Sequence, residues 1–192
     1  MAYSVAVLAL CAIVLLLAAD PTAVYPKDIS PPPGTRYPCA LTALPRELVG
    51  VPKRDREYIN RTYARVLRAT QAKLVLLKAL DERGDVKRAL DAYLASTGKL
   101  VTALRADEVP SGLEKFHADV VGAIELQQRF FRKAADVRTR GGSMEAVYAI
   151  GEGRESSRRL IAAWGAMSAR YPQWDQATRD SIYHHLCALD LF

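Results

Sequence analysis

The chain has 192 residues, of which 27 are basic and 21 acidic, giving a formal net charge of +6. This length has room for one domain with a sizeable core. The sequence contains no glycine-rich phosphate loop after a strand, no nucleophile elbow and no Cys-x-x-Cys-His haem sequence. We therefore predict no cofactor and no catalytic residues, and we do not expect an enzyme.

The first 19 residues carry no charged side chain, and Tyr3–Ala19 is an uninterrupted apolar stretch. At about 17 residues it lies at the lower limit for crossing a hydrocarbon core of roughly 30 Å. A signal peptide cleaved after Ala19 would have Leu17 at a position where small residues are preferred. Residues 1–19 are thus predicted to be either a signal peptide or a retained membrane anchor. Both predictions place the rest of the chain outside the cytoplasm, in a periplasm or secreted.

Cys11 lies within the apolar stretch and resembles the cysteine of a lipidation motif. Leu10 precedes it where such motifs carry a small residue, and the apolar stretch continues beyond the cysteine. Lipidation is therefore the weaker interpretation.

A proline-rich arm is predicted over residues 20–52. Proline prevents helix formation and favours an extended polyproline conformation. If residues 20–37 were extended, they would reach on the order of 50 Å at roughly 3.1 Å per residue. The arm is expected to act either as a tether or as a segment that wraps around the following domain. Eight of the ten prolines fall in this arm, namely Pro21, Pro26, Pro31, Pro32, Pro33, Pro38, Pro45 and Pro52.

Residues 53–192 are predicted to form an all-α, up-and-down bundle of about five antiparallel helices. Apolar residues recur there at three- and four-residue steps, and no segment alternates apolar and polar residues as a strand would. Short connections between long amphipathic helices make neighbours antiparallel. We expect helices near residues 55–82, 85–106, 111–140 and 143–170, and a fifth after residue 174. Ser111 and Glu114 are expected to cap the third, and Ile161 is expected in the core of the fourth.

His117 is the strongest candidate for chemistry, because the helical period places it on the core-facing side of the third helix. Glu114 precedes it by three residues, the Glu-x-x-His spacing of di-iron bundles, but only one copy exists. His184 and His185 point about 100° apart on one helix, so both cannot easily bind one ion. A mononuclear metal site built from His117, Glu114 and one of His184 or His185 is therefore the alternative to an ordinary core histidine.

Only Cys39 and Cys187 lie outside the apolar stretch. In an oxidising compartment such a pair favours a disulfide. We predict that this bond joins the arm to the last helix. The alternative is two reduced cysteines packed as small apolar residues.

The basic surplus is concentrated in residues 53–88, which hold 11 basic and 5 acidic side chains. A row of arginines there could contact anionic lipid headgroups, although an ordinary solvated helix face shows the same pattern. Nucleic acid is not expected after export. The row falls on one side of the first helix and consists of Arg54, Arg61, Arg65 and Arg68.

These features predict an exported or membrane-tethered helical bundle that serves as a non-enzymatic interaction or structural module. The expected partners are a protein at the bundle surface or an anionic membrane surface. The alternative function is a metal- or small-ligand-binding bundle centred on His117. The sequence holds no signal for an oligomeric state.

Overall fold

The structure of the protein is a computed structural model that describes residues 30–31, 33–42, 44 and 48–191. The predicted signal peptide or anchor, residues 1–19, lies outside the described residues, as does the start of the arm. Within the described part of the chain, no helix is both long and apolar enough to span a membrane.

The prediction of an all-α bundle is confirmed, and the described residues contain no strand. The described residues form six helices, which follow one another along the chain. They are α1 (Lys53–Asp81), α2 (Val86–Arg105), α3 (Glu114–Thr139), α4 (Met144–Tyr148), α5 (Gly151–Arg170) and α6 (Gln176–Leu189).

The long helices alternate in direction, as the short connections predict. Asp107, just beyond α2, pairs with Arg65 in the first half of α1, so these two helices are antiparallel. At the other end of the bundle, Arg138 Nε near the end of α3 donates to the Leu80 carbonyl of α1 at 2.9 Å. Helices α1 and α3 therefore run in the same direction. Helix α5 packs antiparallel against α3, and α6 returns alongside α1.

Three of the helices begin at side-chain caps that the sequence provides. The carboxylates of Asp85 and Asp175 and the hydroxyl of Ser143 each accept a hydrogen bond from a backbone N–H one turn later. Such caps satisfy amides that have no partner within the helix, and each contributes about 1 kcal/mol. At the end of α3, Gly141 adopts a φ of +85°, a left-handed conformation that favours glycine.

The predicted start of the third helix is wrong by three residues. Ser111 lies in a turn, and α3 begins at Glu114 after an N-cap residue, Leu113, that makes no side-chain cap. Glu114 does reach backwards, because its Oε2 accepts from the Gly112 amide at 2.7 Å. Gly112 has a φ of +86°, so the chain turns sharply there before the helix can start.

The predicted fourth helix is two helices. Ile150 has a ψ of 120°, which interrupts the helix between α4 and α5, next to the weak helix formers Gly151 and Gly153. The interruption changes which side of α5 faces the core. Leu160 is 2% exposed, whereas Ile161, expected in the core, is 62% exposed.

The core consists of two apolar clusters at opposite ends of the bundle. The larger cluster includes Tyr63 and Phe116 and is built from α1, α2, α3, α5, α6 and the arm. The smaller cluster includes Tyr93 and Phe131 and is built from α1, α2, α3 and α4. Helix α6 ends near the middle of α1, so its last residues lie between the two clusters.

Candidate functional site

His117 pairs with Tyr58 where α1 and α3 begin. The Tyr58 hydroxyl lies 2.8 Å from His117 Nδ1. Burial raises the pKa of Tyr58 to about 12, so the phenol keeps its proton and donates to the imidazole. Partial burial, opposed by the nearby carboxylate of Asp107, lowers the pKa of His117. The neutral imidazole therefore bridges two helices through Tyr58.

The structure does not bring together the four predicted metal ligands. Glu114 is occupied by the Gly112 amide, and His117 is occupied by Tyr58. The His184 ring lies 5.8 Å from the Tyr183 ring on α6 and is tilted by 57° to it, while His185 points into the core. Throughout the described ranges, no group of three or more His, Cys, Asp or Glu side chains is placed to hold a metal ion.

His185 is fully buried. Of the three histidines, we expect it to have the largest effect on stability. Its Nδ1 donates to the Ser181 carbonyl at 2.6 Å, and its ring packs edge-on against Tyr63 with centroids 5.5 Å apart. Its Nε2 has no hydrogen-bond partner among the described residues. Burial lowers the pKa of His185 to about 4, because the imidazolium cannot be hydrated there.

This burial predicts a specific loss of stability in acid. Below its unfolded pKa of about 6.5, His185 takes up a proton in the unfolded chain but not in the fold until about pH 4. Stability present above pH 6.5 is therefore lost as the pH falls towards 4. We expect His185→Phe to reduce this loss by about 1 to 3 kcal/mol, measured by urea unfolding at pH 7 and pH 4.5. An unchanged difference between the two pH values, as expected for a His184→Asn control, would contradict the assignment.

Lys73 is a buried cation that the sequence reasoning missed. Its side chain is 1% exposed, and its Nζ donates to the backbone carbonyls of Ala188, at 2.7 Å, and Asp190. These carbonyls belong to the end of α6, where a helix leaves acceptors without partners and where its dipole favours a cation. Burial lowers the pKa of Lys73 to about 7, although the Asp190 carboxylate opposes the change. Lys73 thus joins α1 to the end of α6.

Two further polar side chains reinforce the same point. Gln127 of α3 donates to the Leu189 carbonyl at 2.8 Å, and Ser157 of α5 donates to the Asp190 carboxylate. Together with Lys73, they bind the end of α6 to three other helices. Asp190 also lines a small cleft of about 90 Å³ beside Trp164 and Tyr183. The hydrogen bonds of the polar layer join helices to one another, and this supports a structural role.

The predicted disulfide is confirmed. Cys39 of the arm is bonded to Cys187 of α6, and their Cα atoms lie 6.5 Å apart. Near this bond, Ser181 Oγ donates to the Thr42 carbonyl at 3.1 Å. Further along, Leu44 and Leu48 are 2% and 4% exposed and belong to the larger apolar cluster. The described part of the arm therefore wraps around the bundle.

The arm reverses direction before it reaches the disulfide. Gly34, with a φ of +78°, forms a turn beside Lys78, whose Nζ donates to the Pro33 carbonyl at 3.2 Å. Before this turn the chain runs back along α1, where Gln71 Nε2 donates to the Ser30 carbonyl at 2.7 Å. Ser30, the first described residue, therefore lies at the outer side of α1.

The predicted arginine row is only partly free. Arg65 forms a two-point ion pair with Asp107, with Nη2 to Oδ1 at 3.1 Å, and Arg54 pairs with Glu108. Arg61 and Arg68 form no ion pair with a described carboxylate, and Arg68 is exposed. Arg54 and Arg65 therefore attach α1 to the residues after α2.

A groove of about 460 Å³ runs between α1 and α2 beside Arg68. Small side chains line most of its α2 side, and Val75 of α1 remains 43% exposed at its edge. Gln71, which holds Ser30, belongs to the same groove. The lining residues are Arg68, Gln71, Ala72, Val75, Ala89, Ala92, Tyr93 and Ser96.

Comparison of the chain with protein-family models, with curated proteins and with solved structures gives no match.

Proposed function

We propose that the chain is an exported or membrane-tethered helical bundle that acts as a non-enzymatic interaction or structural module. The observation that carries this proposal is the Cys39–Cys187 bond. Structural disulfides persist in oxidising compartments and are rare in a reducing cytosol. A charge-free apolar stretch at residues 3–19 supports the same compartment from the sequence.

The arm supports the structural side of the proposal. It contributes Leu44 and Leu48 to the core, and its disulfide secures it to the last helix. The described part of the arm is thereby fastened to the bundle. If residues 1–19 remain as an anchor, the bundle is held close to the membrane surface.

The metal- or ligand-binding alternative has less support. Its central residue, His117, already has one ring nitrogen bonded to Tyr58. The nearest predicted co-ligand, Glu114, accepts from a backbone amide instead. Neither arrangement presents a set of free ligands to an ion.

Thiol alkylation and fractionation in the native host test the proposed function. We expect alkylation of the denatured, unreduced protein to leave Cys39 and Cys187 unlabelled, and labelling of both after reduction. Cys11 serves as an internal positive control if residues 1–19 are retained. Intact mass then distinguishes a cleaved signal from an anchor. A full-length protein in the cytosolic fraction with both thiols reactive before reduction would refute the proposal.

A further inference from the structure

Ser30, the first described residue of the arm, lies on the α1–α2 side of the bundle. Ser30 is held over the outer side of α1 by Gln71, a residue of the α1–α2 groove. Twenty-nine residues precede Ser30, and they include the apolar stretch of residues 3–19. If that stretch is inserted in a bilayer, the attachment at Gln71 brings this side of the bundle towards the lipid.

The same side carries cations that are not neutralised within the described part of the chain. Arg61 and Arg68 lie on α1, and Arg88 and Lys99 lie on α2, and none is within 4.0 Å of a described carboxylate. The acidic groups nearby are already engaged. Asp107 pairs with Arg65, and Asp91 pairs with Lys87 at 2.6 Å. The side therefore has an excess of positive charge.

Apolar side chains line the groove between these cations. Val75 is 43% exposed, and Ala72, Ala89 and Ala92 line the groove beside it. A surface that combines basic side chains with a modest apolar strip suits the headgroup region, where cations meet phosphates and apolar groups enter the acyl boundary. Nucleic acid would need the same charge but would gain nothing from Val75.

We propose that this α1–α2 side, with Arg61, Arg68, Arg88 and Lys99, is a docking surface for an anionic membrane. This inference rests on the proposed membrane-tethered function and adds which surface of the bundle meets the lipid. It replaces two members of the predicted row, Arg54 and Arg65, which are ion-paired, with two residues of α2.

Lysine acetylation of the full chain in vesicles tests the surface directly. The chain is reconstituted with phosphatidylcholine alone or with added phosphatidylglycerol, and labelling of each lysine is read by mass spectrometry. We expect the anionic lipid to reduce the labelling of Lys99 several-fold. Lys115, which is on α3 and exposed, should label equally in both lipids. High salt should restore the labelling of Lys99, because screening weakens the contact.

Charge-reversal variants give the matched control. Arg68→Glu with Arg88→Glu should reduce the preference for anionic vesicles by roughly 30-fold or more, since each basic side chain near the surface is worth about fivefold. Arg129→Glu with Arg154→Glu makes the same charge change at exposed residues of α3 and α5 and should leave the preference unchanged.

The outcomes separate this inference from the proposed function. Failure to associate with neutral vesicles as well as anionic ones would overturn the membrane tether itself. Association with both lipids, but with equal labelling of Lys99, would overturn only the docking surface. Equal losses in the two double variants would show that net charge acts without a defined surface. Tight binding of a nucleic acid at physiological salt, abolished by the α1–α2 variant alone, would assign the surface to that partner instead.

Discussion

Replacing Cys39 with serine is expected to lower the free energy of unfolding by about 4 to 5 kcal/mol in the chain-entropy model. The bond joins residues separated by 148 positions, so without it the unfolded chain gains a large conformational freedom. The loss should appear in urea unfolding of the unreduced protein. Reduction of the natural chain with a dithiol should give the same value, because both changes remove the same constraint.

We expect the helical bundle to keep its fold without the bond, while part of the arm loosens. We expect Leu44 and Leu48 to stay buried without the bond, whereas residues 33–40, which are exposed or half-buried, lose their covalent attachment to α6. Trypsin should therefore cut after Arg36, which is exposed, faster in the variant than in the natural chain. Cys11→Ser is the matched control for loss of one cysteine. An unfolding free energy equal to that of the control would mean that the disulfide does not form in solution.

The sequence predicted the helices well because each depends on local features. Spacing of apolar residues, the caps at Asp85 and Asp175, and the glycines after α3 all act within a few residues. The two errors in the predicted helix boundaries also have local causes. A turn at Gly112 delayed α3, and the extended conformation of Ile150 split the predicted fourth helix.

The groups between helices could not be predicted in the same way. Lys73 lies three residues after buried Thr70, which was a signal that it faces the core. Its partners, however, are backbone carbonyls more than a hundred positions away, and no spacing rule identifies them. The pairing of Arg65 with Asp107 was hidden for the same reason, so a row of four arginines looked free when two of them were paired. The disulfide was predictable because only two cysteines remained to pair.

Substituting Lys73 with methionine is expected to change how stability depends on pH. In the natural fold the Lys73 pKa is about 7, whereas in the unfolded chain it is near the usual 10.5. Between these values the unfolded chain holds a proton that the fold has released, so stability rises as the pH increases from about 7 to 10. The stability gained at high pH is lost again as the pH falls from about 10 to about 7. Methionine cannot titrate, so this rise should disappear.

The effect of Lys73→Met on the free energy of unfolding should depend on whether Lys73 is charged in the fold. Near pH 10 the neutral amine still donates to the Ala188 and Asp190 carbonyls, and its removal should cost about 1 to 3 kcal/mol. Near pH 6 the natural fold holds a desolvated ammonium, so methionine should cost less there, because replacing a buried charge by an apolar residue is often neutral or stabilising. Urea unfolding at both pH values measures the difference. Lys78→Met removes an exposed contact from the same helix and should shift both values equally. A constant difference between Lys73→Met and the natural chain at the two pH values would show that Lys73 stays charged inside the fold, held by the end of α6 and by Asp190.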